Sequence, residues 1–327
     1  MRASVFSLGK AHGHGAQRAY SEVVFGEATG SSAVQRFTLL PLVVACALPL
    51  AAMADSACRA SSSPGVTPLV ELYTAEGCSD CPKADAWLTE TASAMAAEDA
   101  SFLAFHVDYW DSIGWPDRFS AGIHSDRQRL RVAQSGKRVV YTPQVMIGEA
   151  TTVDWQRPGR GARAATGGRN EFGRVLDAAR SRDANVRLDM AVLGADDEAL
   201  LVRLDASGAA RDDVGRDVWI WLALYEDGLV SRVSAGENQG RTLRHDRVVR
   251  ALKGPWRLSA DGFSQEIRLE VPQDAETASA GLVAFVEAAE TGRSLQSLGL
   301  RLDACVGDGI AEGGRERSTA PADAGRR

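Results

Sequence analysis

A Cys-x-x-Cys pair, Cys78-Ser79-Asp80-Cys81, sits where the sequence changes period. Ahead of it runs LVELYT (69–74), apolar and β-prone, which reads as a buried strand ended by Gly77. Behind it Ala84, Trp87, Leu88, Thr91 and Met95 recur at helical offsets, and Pro82 suits a first helical turn. The pair therefore opens a helix. Free N–H groups and the helix dipole stabilise a thiolate there. In such pairs the first cysteine is normally the exposed attacker, and the second, one turn deeper, resolves the mixed disulfide. Cys78 is thus the expected nucleophile and Cys81 the expected resolver. A structural disulfide and half of a zinc site are the alternatives. Zinc takes about four ligands, and this chain has no second such pair and no paired histidines.

The alternation continues beyond the pair. FLAFHV (102–107) reads as a second buried strand, and 108–116 as an irregular loop. Phe119, Ile123, Leu130 and Ala133 mark a helix closed by Gly136. VVYTPQVMIG (139–148) is a strand interrupted by Pro143, and Phe172, Val175, Leu176 and Ala179 mark another helix. Strand and helix in turn argue for an α/β layer with a partly parallel sheet over 66–182. The Gly- and Arg-rich stretch after Arg157 reads as an exposed loop. Past Asp183 the texture becomes short alternating strands separated by turns, which argues for a β-sandwich-like domain over 183–305. The segment 306–327 has almost no apolar residues and is expected to be disordered.

One long apolar run exists, FTLLPLVVACALPLAAMA (37–54). Arg36 precedes it and Ala52-Met53-Ala54 ends it, so 36–54 reads as a secretory signal peptide. A membrane anchor and a lipoprotein box at Cys46 are the alternatives. Residues 1–35 read as an extension or a misassigned start. A periplasmic or secreted protein follows, with no membrane contact once the segment is cleaved. Lys plus Arg number 37 against 43 for Asp plus Glu, a balance that disfavours nucleic acid as a partner. In an oxidising compartment the cysteines left after cleavage form an even set. Local pairing of Cys78 with Cys81 leaves Cys58 and Cys305 as an expected structural disulfide, one of three pairings that four cysteines allow.

Four segments, LVELYTAEGCSDCPKADAWL, FHVDYWDSIGW, VYTPQVMIG and GENQGRTLRHDRVVR, together resemble a bacterial secreted family catalogued as domain of unknown function 1223. The resemblance spans most of the chain after the apolar run. It implies a thioredoxin-like N-terminal domain. The expected fold class is therefore an α/β thioredoxin-like domain followed by an all-β sandwich-like domain. In such folds a cis-proline loop faces the cysteine pair, so Thr142 and Pro143 are expected to present backbone to a bound chain. An edge-strand proline in trans is the alternative.

The expected function is thiol–disulfide oxidoreductase chemistry on a thiol- or disulfide-containing protein or a small thiol, with no cofactor. A non-catalytic binding module with a structural disulfide competes with it. So does a copper-handling site of Cys78, Cys81 and His106, since thiolates with imidazole suit copper. Glu71, on the strand leading to the pair, is a candidate to take a proton from Cys81, or an ordinary satisfied carboxylate. His106 and Asp108 end the second strand, where α/β folds place functional groups. Tyr109, Trp110 and Trp115 are candidates for an apolar lip, with core packing as the alternative. Residues 236–240 read as a turn between strands, with packing against the first domain as the alternative. Glu76, Asp80 and Asp85 surround the pair, opposed only by Lys83. Negative neighbours raise a thiol pKa, so a weakly acidic Cys78 and a reducing pair are expected.

Overall fold

A computed structural model describes residues 58–149, 151–156, 171–208 and 217–305. The extension at 1–35, the signal segment at 36–54, the Gly- and Arg-rich loop and the tail at 306–327 lie outside the described residues.

The first half follows its apolar pattern. β2 (Leu69–Thr74) and β3 (Ser101–His106) are buried along their whole length and pair in parallel. Both faces of β2 are covered, as its unbroken apolar run requires. Val70 and Leu72 point into a cluster with Ala84 and Leu88 of α1 (Cys81–Ala94) and Phe172 and Leu176 of α3 (Glu171–Arg180). Leu69 and Tyr73 point the other way, among Phe105, Met146 and Val132 of α2 (Gly122–Gln134). α2 stops where the chain turns left-handed at Gly136 (φ 71°), a conformation that glycine adopts without strain. The 108–116 loop contains a short 3-10 helix, Asp108–Ile113. β4 (Gln144–Ile147) begins directly after Pro143 and runs antiparallel to β2, with Tyr73 opposite Gln144. β5 (Thr151–Thr152) completes that edge.

The second half is built of β6 (Arg187–Ala195), β7 (Ala199–Ser207), β8 (Val218–Glu226), β9 (Leu229–Arg232), β10 (Thr242–His245), β11 (Val248–Arg257), β12 (Phe263–Glu270), β13 (Ala280–Ala288) and β14 (Ser294–Arg301). A four-stranded sheet runs β1-β6-β7-β12, where β1 (Arg59–Ser61) pairs antiparallel with β6. Its side chains share an apolar cluster with β8, β13 and β14.

The expected fold class is not what forms. β14-β13-β8-β11-β3-β2-β4-β5 is one eight-stranded sheet that runs through both halves. There is no α/β thioredoxin-like domain standing apart from a β-sandwich. The seam is β11, which pairs antiparallel with β8 and in parallel with β3 through Val248 and Ala104. Ala104 N–H donates to Arg247 O at 2.8 Å across it. β11 escapes sequence reading because its run, VVRALKGPWR, is broken by Gly254-Pro255 and by two register shifts. One apolar cluster spans the seam, joining Tyr73, Phe105 and Met146 to Trp221, Tyr225, Val249 and Phe285. Each such large side chain contributes about 1.5–3 kcal/mol when buried, so the halves share a core rather than touch at a surface.

Candidate functional site

Cys78 and Cys81 are joined by a disulfide with Cα atoms 5.4 Å apart. The loop from β2 supplies Cys78, whose N–H donates to Ala75 O, and Cys81 is the first residue of α1, with Pro82 following at the start of the helix. No side chain caps α1 from within its own loop. A distant residue supplies an oxygen instead: Ser79 N–H donates to Glu237 Oε2 at 2.9 Å.

Cys78 is not the exposed attacker expected. It is 2% exposed and Cys81 is fully buried, while Ser79 and Asp80 between them are exposed. The cover comes from two directions. Asn238 is fully buried although residues 236, 237, 239 and 240 around it are exposed. Its amide donates to Glu76 O at 2.8 Å and Cys78 O at 2.9 Å, and Arg241 donates to its Oδ1. On the other side Trp110 lies against Gly77, where an added Cβ would sit 3.5 Å from Trp110 Cβ. Trp110 also donates its indole N–H to Thr142 Oγ1 at 2.7 Å. Trp110 thus ties the cysteine loop to the loop holding Pro143, whose peptide bond with Thr142 is cis. Pro143 itself is buried at the end of β4 beside the end of β2. Tyr109 is half-buried and donates to Gln128 Oε1 at 3.2 Å, with burial pushing its phenol up. Ile113, Val139 and Tyr141, from the same two loops, are exposed apolar side chains.

The negative surroundings expected of the pair are neutralised by a residue far along the chain. His245, on β10, places Nε2 3.3 Å from Glu76 Oε1 and Nδ1 3.3 Å from Asp85 Oδ2. Burial pushes the imidazole pKa down, but Asp85 and Glu76 overcome that and raise it to about 10. Asp80 pairs at the surface with Lys83 at 3.7 Å. The expectation of a weakly acidic Cys78 therefore loses its main cause. Beside His245, His106 Nδ1 meets Asp117 Oδ2 at 2.6 Å, and the two histidine rings lie edge to face at 4.9 Å. Burial pushes Asp117 up, yet His106 and backbone N–H donors bring it down to about 2.

Glu71 is not placed to take a proton. It accepts from Arg127 Nε at 2.7 Å, Arg131 Nε at 2.6 Å and Tyr73 OH at 2.9 Å. Burial favours its neutral form, but the two guanidinium groups win and hold the carboxyl below its usual range. Arg127 also forks onto Glu287 at 3.0 and 3.1 Å, and Trp221 N–H donates to the same carboxylate. This buried network ties β2 and α2 to β13.

No bond joins Cys58 to Cys305. Cys58 packs against the apolar cluster that contains Cys305, and Cys305 Sγ lies 3.7 Å from Arg301 O. Among the described residues no three His, Cys, Asp or Glu side chains are arranged to hold a metal ion, and His106 is committed to Asp117. Asp108 accepts from Ser125 at the start of the 3-10 helix. Sequence reading places Glu237 and Asn238 in a turn, and gives His245 and Asp117 no role at the site. The signal for the first three was their place in GENQGRTLRH, a polar run too rich in distinct side chains for a plain turn.

These histidines set a pH profile. His245 is raised, so its stabilisation is complete below 6.5 and lost as pH rises through about 10. His124 is lowered to about 4 by burial, so its stabilisation is present above 6.5 and lost as pH falls through about 4. Asp117 adds a further loss as pH falls from 3.8 through about 2. The thermal midpoint, followed by circular dichroism, should peak near neutrality and fall on both sides. His124→Asn should flatten the limb between pH 6.5 and 4; a wild-type profile already flat there contradicts the assignment.

A disulfide at the head of a helix, seated on a mixed sheet and covered by a turn from the far half, defines a disulfide protein of mixed α and β structure built on one continuous sheet. The chain belongs to the family described as protein of unknown function DUF1223, whose model matches residues 69–287. Two solved structures are similar in fold. The crystal structure of protein AGR_C_4864 from Agrobacterium tumefaciens matches 73% of this chain and 96% of its own, at 21% identity and a TM-score of 0.50. HBP35 of Porphyromonas gingivalis matches 74% of this chain and 77% of its own, at 16% identity and a TM-score of 0.53. No curated protein matches the chain. Among the described residues no helix is long and apolar enough to cross a membrane.

Proposed function

We propose that this chain is an exported thiol–disulfide exchange protein working through Cys78 and Cys81. The observation that carries the reading is the bond's position, closed across the start of α1 with only Ser79 and Asp80 between its ends. Helix N-termini favour the thiolate that every exchange step needs. In one direction a partner thiolate attacks Cys78 Sγ. The Cys78–Cys81 bond breaks, and its electron pair passes to Cys81 Sγ, which takes up a proton. A second thiolate then attacks the partner's sulfur in the mixed disulfide and releases Cys78 as a thiolate. The reverse sequence oxidises the pair. The partner is a protein or small molecule bearing a thiol or disulfide, and the exchange itself uses no cofactor. Export is supported by the run at 37–54 with its Ala52-Met53-Ala54 end. Because Cys78 is 2% exposed, exchange requires the Asn238 and Trp110 cover to part.

A second reading is favoured by that same burial: the bond only braces the loop to which Asn238 is fastened. Equilibration with glutathione buffers, together with an insulin-reduction assay, separates the two. Exchange predicts a reduction potential between about −270 and −120 mV, with turnover lost in Cys78→Ser. A potential below about −300 mV with no turnover makes the bond structural.

A further inference from the structure

Two buried carboxylates belong to the short segments that flank the disulfide. Glu76 closely precedes Cys78, and Asp85 lies one helical turn beyond Cys81. Each, alone, would oppose a thiolate at the pair. His245 lies between them, itself 2% exposed, with one ring nitrogen facing each carboxylate at 3.3 Å. Both nitrogens face acids, so both carry protons and the ring is a cation. The carboxylates' other oxygens are occupied: Trp115 N–H donates to Glu76 Oε2 at 2.7 Å, and Thr74 O–H to Asp85 Oδ1 at 2.8 Å. Two further carboxylates stand at the cysteine loop but face water: Glu237 accepts from Ser79 N–H at 2.9 Å, and Asp80 pairs with Lys83 at 3.7 Å. His106 faces the imidazole edge-on but holds Asp117, and Asp246 accepts from Thr89 O–H and Gly228 N–H. Each ring nitrogen thus meets one carboxylate at ion-pair distance, and the ring's charge offsets theirs.

We propose that His245 is a positioning residue that sets the acidity of the reduced cysteine pair, by cancelling the charge of Glu76 and Asp85. This rests on the exchange reading above. When the bond opens, a thiolate forms on a buried sulfur in the same ten-residue segment, 76–85, that carries the two buried carboxylates. The imidazolium lowers the free energy of that anion. Without it, three negative groups would share one buried region, and the thiol would keep its proton to higher pH. The placement also explains why β10 brings a histidine to a helix start that belongs to the other half of the chain.

The test uses the full chain, reduced with dithiothreitol, which supplies two electrons and two protons and leaves as its cyclic disulfide. Once the reductant is removed under anaerobic conditions, ultraviolet thiolate absorbance is titrated against pH, so no reagent needs access to the buried sulfurs. His245→Gln should raise the first thiol pKa by about one unit, an approximately tenfold loss of thiolate at pH 7. Glu76→Gln and Asp85→Asn should each move it the other way. A folded His245→Gln protein with an unchanged titration overturns the proposal. If that variant does not fold, an unchanged titration in both carboxylate variants overturns it instead. Insulin reduction is followed in parallel. Turnover with no pKa movement refutes the role of His245 and leaves exchange standing, whereas pKa movement without turnover refutes exchange alone.

Discussion

Replacing Arg131 with methionine should lower the free energy of unfolding by about 3–5 kcal/mol, the usual effect of stripping one partner from a buried ion pair. Arg131 is 1% exposed and is among the largest fully buried side chains. Its Nε donates to Glu71, one terminal nitrogen donates to Gly292 O, and the other to Gly148 O at 3.1 Å. Methionine fills much of the same volume, so the loss is chiefly electrostatic. Glu71 would keep Arg127 but lose half its compensation, and the two carbonyls would stay buried without a donor. Guanidinium unfolding measures this. A loss under about 1 kcal/mol would mean that water reaches the site and repairs it. The double change Glu71→Leu with Arg131→Met should recover part of the loss, because two apolar groups leave fewer charges without a partner.

Asn238→Ala should speed reduction of the Cys78–Cys81 bond by about ten- to hundredfold. Asn238 makes two amide hydrogen bonds to the backbone that carries Cys78, and these hold a turn whose other residues face water. Each is worth about 1 kcal/mol net, and about 1.4 kcal/mol changes an opening equilibrium tenfold. Attack through a locally opened state scales with that equilibrium. The readout is the pseudo-first-order rate of reduction by dithiothreitol, with global stability measured alongside. A rate equal to wild type would show that Trp110, not the turn, controls access. The melting temperature should fall as well, by about 4–8 °C, since hydrogen bonds lost from the native state are lost against the unfolded state too.

How much of this could be read from sequence follows from the range of each interaction. β2, α1 and β3 were legible because an unbroken apolar run, a proline and a change of period are local signals. Their order suggested two domains because nothing local in VVRALKGPWR announces a strand that joins β3 to β8. Charge was misread for the same reason. Glu76 and Asp85 look unopposed within their own segment, yet their counter-charge, His245, arrives from β10. Glu71 offered a better clue. Arg127 and Arg131 stand four apart on one helix face, and a helix that buries two arginines must meet acids. The exposure of Cys78 was the hardest to foresee, since it depends on a turn whose fastening residue, Asn238, carries no periodic signal.

The seam at β11 also bears on how the chain comes into being. A ribosome delivers β2, β3 and β4 early, but β3 has no neighbour on its outer side until Val248 has emerged. Glu287, which holds Arg127, comes later still. The cysteine-bearing segment is thus among the first parts made and among the last to be finished. Until the turn bearing Asn238 has also emerged, the segment's cysteines lack the cover that the folded protein gives them.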